Sequence, residues 1–360
     1  MIPYFILIAL PLLLRMVSKK YRFTRGAQIL CETETASMDV FMLMFFLLLA
    51  CRGIKIGNDT IQYRRLFNEY RTQNIIQLLS SYEHEFGYKL LNRMAGLVTD
   101  NYQVLLVITS AICVIPLWYF YRKESENQIL TIALFLTVAP YVMYFSGIRQ
   151  AMAMSLGIPA WYAAKNKRLW WFIALVILAM QFHTSAFMLF ALYPLYHVRI
   201  TKRWLWVVVP CMMAVFIFRN TVFNFLFSLL WQEYHKTEAT GATNVLILLV
   251  LFSVYCYIIP DEDSVDSDTA AMRNILLLSS VLQIFAMLHP IAMRMNYYFL
   301  IFIPILIPKI IKRSKEGLIE ITRVSVVVLT VYFYYYFIKT VITDDDPLNI
   351  FPYVSFLQNL

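Results

Sequence analysis

Glycine is scarce in this chain, nine in 360 residues. None of them builds the glycine-rich turn that cradles a phosphate in soluble nucleotide-binding proteins. Charge is thin at 15% of residues, and acidic charge thinner, with 22 Asp and Glu against 31 Lys and Arg. The five cysteines, Cys31, Cys51, Cys113, Cys211 and Cys256, form no C-x-x-C pair and keep no ligand spacing, so they read as packing residues. No metal or cofactor site is read. Glu83, His84 and Glu85 are dense, but neighbours at i, i+1 and i+2 do not converge on one ion. There is no serine-hydrolase elbow, no internal repeat and no low-complexity linker. Residues 1–14 lack a basic leader and a small-residue cleavage site, so they read as a retained first span. Also missing is any polar stretch long enough for a separate soluble domain.

What fills the chain is hydrocarbon. Hydrophobic residues make up 60% of it, against about 45–50% in a soluble domain. Apolar runs of roughly 15–20 residues recur, each able to cross a core about 30 Å thick. The expected fold is an all-α polytopic membrane protein, one integral domain over residues 1–360. About twelve transmembrane or re-entrant helices are expected. They fall near 1–14, 37–52, 102–121, 129–147, 148–164, 169–182, 184–197, 204–219, 244–260, 272–289, 295–311 and 318–342. The net charge of +9 sits in short loops between spans and is not a nucleic-acid signal.

Loop charge sets the expected orientation. Arg15, Lys19, Lys20, Arg22 and Arg25 follow the first span. Arg122 and Lys123, then Lys165, Lys167 and Arg168, then Arg199, Lys202 and Arg203, then Lys309, Lys312, Arg313 and Lys315 fall on the same side. The positive-inside rule makes that side cytoplasmic, although the acidic loop 261–268 lies there too. The largest outside segment, about 52–101, carries two helical patterns. Tyr63, Leu66, Phe67 and Tyr70 make one apolar face; Leu90, Met94, Leu97 and Val98 make the other. Both helices are expected to lie on the outer leaflet or to cap the bundle. The tail 343–360 is rich in aromatics and is expected to fold back on the outer face. The run Tyr332 to Phe337 reads as an interfacial aromatic belt rather than a sugar-stacking surface.

On this topology the polar residues of the outer rim stand out. Ser146-Gly147-Ile148-Arg149-Gln150 and Phe182-His183-Thr184-Ser185-Ala186 are polar knots between apolar runs. Arg52, Arg149 and Arg294 work against the orientation rule and come from distant parts of the chain. Guanidinium groups bind phosphate with forked, charge-assisted hydrogen bonds. A ring of them at the mouth of a bundle suits a lipid-linked phosphate or pyrophosphate. Arg52 has a plainer reading as a snorkelling anchor, His183 as a helix cap, and Asp59 as an N-cap for a helix beginning at Thr60. Arg149 has less of one, because a helix N-terminus already carries partial positive charge.

Taken in order, Arg52-Gly53, Asn58-Asp59-Thr60, Tyr63, Phe67, Glu85-Phe86-Gly87-Tyr88, the two knots, Arg294 with Tyr297-Tyr298, and Pro352-Tyr353 resemble the EpsG family. Its members are exopolysaccharide proteins related to the Wzy-type O-antigen and capsule polymerases. The likeness runs from about residue 40 to the end. Glu83 and His84 depart from the pattern, and Glu85 is the better match. The resemblance implies an architecture similar to the C-type glycosyltransferases, in the bacterial plasma membrane. The implied reaction joins oligosaccharide repeat units carried on undecaprenyl pyrophosphate at the outer face, with membrane lipid around the protein and a flippase and a chain-length regulator as partners. On that reading Arg149, Arg294, Arg52 and Gln150 hold the pyrophosphate without a metal. The base is sought among His183, Asp59 and Glu85. Competing readings are a flippase or transporter for the same lipid-linked sugar, and a membrane acyltransferase modifying polysaccharide. The first needs polar residues through the membrane's depth, the second a histidine reached from the cytoplasm.

Overall fold

The computed structural model describes residues 33–81, 83–137, 141–230, 242–313 and 349–359, with residues 3, 4, 6, 7, 9, 10, 13, 23–25, 28–31, 324 and 328. Apart from a short antiparallel strand pair, Phe23–Arg25 with Gln28–Cys31, the regular structure is helical. Helices α1 (Thr33–Ala50), α2 (Thr60–Tyr70), α3 (Ile75–Ser80), α4 (Phe86–Val98), α5 (Tyr102–Glu124), α6 (Gln128–Thr137), α7 (Met143–Ser146), α8 (Ile148–Lys165) and α9 (Leu169–Met180) form the first part. A 3-10 helix over Thr184–Ala191 follows. The chain then continues through α10 (Leu192–His197), α11 (Leu205–Ile217), α12 (Arg219–Leu230), α13 (Ala242–Ile258), α14 (Ser267–Ala286), α15 (Pro290–Leu300) and α16 (Ile303–Lys312).

Two of these, α5 and α14, are long and apolar enough to cross a membrane. The count rises to four if each bent pair is one span: Lys202–Ile217 with Arg219–Phe225, bent by 77°, and α15 with α16, bent by 47°. Ala36–Ala50, α6, α9 and α13 are apolar but shorter. The expected span over 129–147 is two helices, α6 and α7, and the one over 184–197 begins as a 3-10 helix. Nearly all of 318–342, the run Tyr332 to Phe337, and 343–348 lie outside the described residues.

Helix α8 is the centre of the packing. Ala151, Ala153, Ala160 and Ala164 are wholly buried on it, and small residues let neighbouring backbones approach closely. Ser155 Oγ donates to the Cys113 carbonyl on α5 at 2.7 Å. Tyr121 reaches the Ile301 carbonyl at 2.8 Å and Thr131 the Pro304 carbonyl at 3.0 Å. Ser279, Asn296 and Gln283 bond one another and end on the Ala242 carbonyl, so this buried polar string is satisfied internally.

Charged side chains gather at one end of the bundle. Lys309 pairs with Glu124 at 3.1 Å, Lys312 with Glu126 at 2.5 Å and Arg313 with Asp266 at 2.6 Å. Lys165 pairs with Asp268, and Arg122 lies 3.5 Å from Asp39. Arg273 holds Glu262 through two nitrogens. These contacts tie the start of α1, the end of α5, the end of α8, the start of α14 and the end of α16. Helices α1, α5, α8 and α14 therefore have their other termini together at the opposite end, at Arg52, Tyr102, Arg149 and His289.

At that opposite end α2 buries Tyr63, Leu66, Phe67 and Tyr70, the face its period predicts. Helix α4 does not follow its pattern. It buries Tyr88, Lys89, Asn92 and Ala95 and exposes Met94, Leu97 and Val98. The cause is hydrogen bonding. Lys89 Nζ donates to the Leu78 and Ser81 carbonyls at the end of α3, and Asn92 to the Tyr88 carbonyl. Buried donors need acceptors, so the polar face turns inward and the apolar stripe outward; Ile75, Ile76 and Leu79 of α3 are exposed as well. The tail docks here. Gly53 N–H donates to the Val354 carbonyl, Gly57 N–H to that of Asn349, and Phe356 N–H to that of Cys51.

Candidate active site

Two backbone breaks place the polar side chains. Gly147 ends α7 and opens α8, so Arg149 stands in the first turn of α8. His183, in extended conformation, separates α9 from the 3-10 helix. Between them sits Glu85, just ahead of α4. Its approach depends on Gly87, where a Cβ would lie 2.7 Å from Gln181 Cβ and 2.8 Å from the Gln181 carbonyl oxygen. Without a side chain there, Tyr88 N–H reaches that carbonyl at 3.1 Å, and the start of α4 locks onto the end of α9. A second close approach, at Gly57 with φ +86°, seats the 52–59 turn on the Phe145 carbonyl.

Glu85 joins the two knots. One carboxylate oxygen accepts from Arg149 Nη1 at 2.5 Å. The other accepts from Thr184 N–H at 2.9 Å and Thr184 Oγ1 at 3.2 Å. The Arg149 guanidinium also lies 5.8 Å over the Tyr88 ring, and Tyr63 sits against it. Its Nε is buried with no partner among the described residues. An unmade hydrogen bond of that kind costs about 1–3 kcal/mol. Burial alone would raise the Glu85 carboxyl, but Arg149 and the Thr184 N–H outweigh it and hold the pKa below the ordinary carboxylate value.

Gln150 brings in the third arginine. Its amide donates to the Arg294 carbonyl at 2.6 Å, tying α15 to the start of α8. The Arg294 side chain is exposed and has no ion-pair partner among the described residues. His183 lies within electrostatic reach of Arg149, Arg294 and Glu85. Its Nδ1 accepts from Ser185 N–H at 3.3 Å and sits 2.6 Å from Ser185 Oγ, which is 2.9 Å from the Tyr298 hydroxyl. Burial pushes this imidazole down to about 4; the two arginines add to the shift and Glu85 opposes it.

Of the residues singled out in the sequence, Arg149, Glu85, His183, Gln150 and Arg294 form one cluster. Arg52 stands behind it at 1% exposed. Its Nη1 donates to the Tyr144 carbonyl at 2.9 Å, and its Nε is buried without a partner among the described residues. Tyr63 lies within electrostatic reach of both Arg52 and Arg149. Asp59 is half-buried at the start of α2 and makes no side-chain cap bond, so its capping role is not taken up. His84 bonds the Tyr70 hydroxyl at 2.7 Å.

The residues the sequence reading left out are Tyr88, Ser185 and Tyr298 as direct participants. All three stood inside quoted motifs, but an aromatic on an apolar face gives no sign that it lies under a guanidinium. Among the described residues no group of three His, Cys, Asp or Glu could hold a metal ion. The family model for EpsG matches residues 37–355. No curated protein and no solved structure matches the chain.

Proposed function

The chain belongs to the EpsG family of Wzy-type polysaccharide polymerase-like membrane proteins, and from that premise we propose that it polymerises oligosaccharide repeat units carried on undecaprenyl pyrophosphate. The bundle end that holds Arg149 faces the outside of the bacterial plasma membrane. The observation that carries the reading is the convergence of Arg149, Arg294 and His183 from three distant stretches, with buried guanidinium donors on Arg149 and Arg52 that have no partner among the described residues.

In the proposed step a hydroxyl of the acceptor sugar attacks the anomeric carbon of the donor. The new bond is carbon to acceptor oxygen. The bond that breaks joins that carbon to the phosphate oxygen, and the lipid diphosphate leaves with the electron pair. Arg149 and Arg294 stabilise the charge that grows on it. Gln150 holds Arg294 to the helix that carries Arg149. Glu85 has both oxygens engaged, which makes it the positioning residue for Arg149. Asp59, which makes no helix-cap bond and lies within electrostatic reach of the Tyr63 that sits against Arg149, takes the proton of the attacking hydroxyl. Arg52, behind Tyr63, adds positive potential from inside the bundle. A flippase and a chain-length regulator are the partners such a reaction calls for.

A flippase reading would need a path for a charged head group. Three polar residues within the helix packing, Ser279, Gln283 and Asn296, are bonded to one another and to backbone. That favours chemistry at one end of the bundle over passage through it.

The test is purification into detergent with a synthetic lipid-pyrophosphate oligosaccharide as sole substrate. A ladder of products is expected. No product longer than the substrate, from a folded preparation, would overturn the reading.

A further inference from the structure

His183 is one of the three residues among which the sequence places the base, and its hydrogen bonds argue otherwise. A neutral imidazole has one donor and one acceptor nitrogen, and its partners decide which is which. A backbone N–H can only donate, so the Ser185 N–H makes Nδ1 the acceptor. The Ser185 hydroxyl, 2.6 Å away, then donates to the same nitrogen. Its own oxygen accepts from Tyr298, 2.9 Å further on. Tyrosine, serine and backbone all feed donors toward Nδ1. The ring proton therefore sits on Nε2, and among the described residues no protein atom takes it.

We infer that His183 is a neutral hydrogen-bond donor, through Nε2–H, to the diphosphate of the departing lipid, and not the base for the acceptor hydroxyl. The inference rests on the polymerase reading above for its ligand, while the tautomer rests on the hydrogen bonds alone. As a base the ring offers neither nitrogen: one lone pair is engaged by donors and the other nitrogen carries the proton. The groups that face it are Arg149 from α8, Arg294 and Tyr298 from α15, and Glu85 from the segment before α4. Two of them are permanent cations, so an imidazolium formed by proton uptake would stand beside two positive charges. Its lowered pKa agrees, keeping the ring uncharged through the physiological range. A neutral imidazole at the start of a helix, acting as donor rather than base, is a known chemical solution to stabilising an oxyanion.

Two substitutions separate the roles. Gln places an amide N–H near the position of Nε2 but gives up the cap. Asn keeps an acceptor near Nδ1 and gives up the distal donor. Product formation by His183→Gln, His183→Asn and His183→Ala is compared with the unaltered protein in detergent, using the lipid-pyrophosphate oligosaccharide. The expected order is Gln within about tenfold of the unaltered protein, with Asn and Ala down by about 100-fold or more. Rescue by Asn alone would reduce His183 to a cap, and rescue by neither would restore the base; either result overturns the inference.

A second measurement does not depend on activity. In histidine-15N-labelled protein at neutral pH, the His183 ring, assigned by its loss in His183→Asn, is expected to show a pyridine-type Nδ1 and a pyrrole-type Nε2. The reverse pattern, or an imidazolium, sinks the proposal whatever activity the variants show. If the unaltered protein makes no product, the polymerase reading fails, and the nitrogen shifts still decide the tautomer.

Discussion

Arg149 gives one nitrogen to Glu85, and its buried Nε has no partner among the described residues. Removing the guanidinium is expected to lower the polymerisation rate by about 100- to 1,000-fold, the size found when one preorganised oxyanion donor is lost. Lysine, a point charge without the fork, should recover little of that. An Arg149→Ala protein that makes polymer at the normal rate and length would remove the arginine from the reaction. Glu85 carries a pH signature. Its pKa in the folded protein is below the ordinary 4.5, so the stabilisation it supplies is complete above the unfolded value and lost as pH falls through the folded one. The melting-temperature gap between unaltered protein and Glu85→Gln should therefore hold steady above about pH 5 and close on further acidification. A gap that closes near neutrality would mean that the carboxylate is not held by Arg149.

Among elements, the ends of the helices carry the ion pairs, and the middles carry packing with a few bonded polar groups such as Ser155 and Ser279. The Lys309–Glu124 pair couples α16 to α5 with both side chains under a tenth exposed. Tyr162 also donates to the Glu124 carboxylate. Lys309→Met leaves that carboxylate buried and uncompensated, a loss of about 3–5 kcal/mol. The double variant Lys309→Met with Glu124→Leu should regain most of it. Thermal unfolding in detergent reads both, and equal melting temperatures for the two variants would mean that the pair is not buried in solution. This coupling was hidden in the sequence. Lys309 reads there as one more loop charge, because nothing in its neighbours says that Glu124 lies across from it. Helix α4 shows the same limit. Its apolar stripe was legible, but the face turned inward was decided by Lys89 finding the carbonyls at the end of α3.

At the scale of the whole molecule, two groups of charges lie at opposite ends, and the proposed orientation puts the Arg149 end outside. In a cysteine-free background, Arg294→Cys should react with an impermeant thiol reagent on intact cells. Glu126→Cys, beside Lys312, should react only after permeabilisation. The reverse result would turn the protein over and take the site away from the outer face. That basic helix ends gather at one end of the bundle was legible because basic residues recur between apolar runs. The number of full-length spans was not. A polar knot between two runs reads equally as a loop or as a break within one crossing, and bends such as the 47° between α15 and α16 depend on packing.

Composition and period by themselves determined that this chain is helical, that it suits a membrane, and that α2 buries its tyrosines and phenylalanine. They also placed Arg149, His183 and Arg294 among the residues to watch, since charge beside long apolar runs is costly wherever the chain folds. Only the tertiary structure decided which of them meet. It paired Glu85 with Arg149, let α4 approach through Gly87, drew Arg294 in through Gln150, and set Arg52 behind Tyr63. It also brought Tyr298 to the Ser185 hydroxyl that faces Nδ1 of His183. Those outcomes depend on contacts between residues far apart in the chain, and a hydrogen-bond partner is chosen by where the backbone brings it.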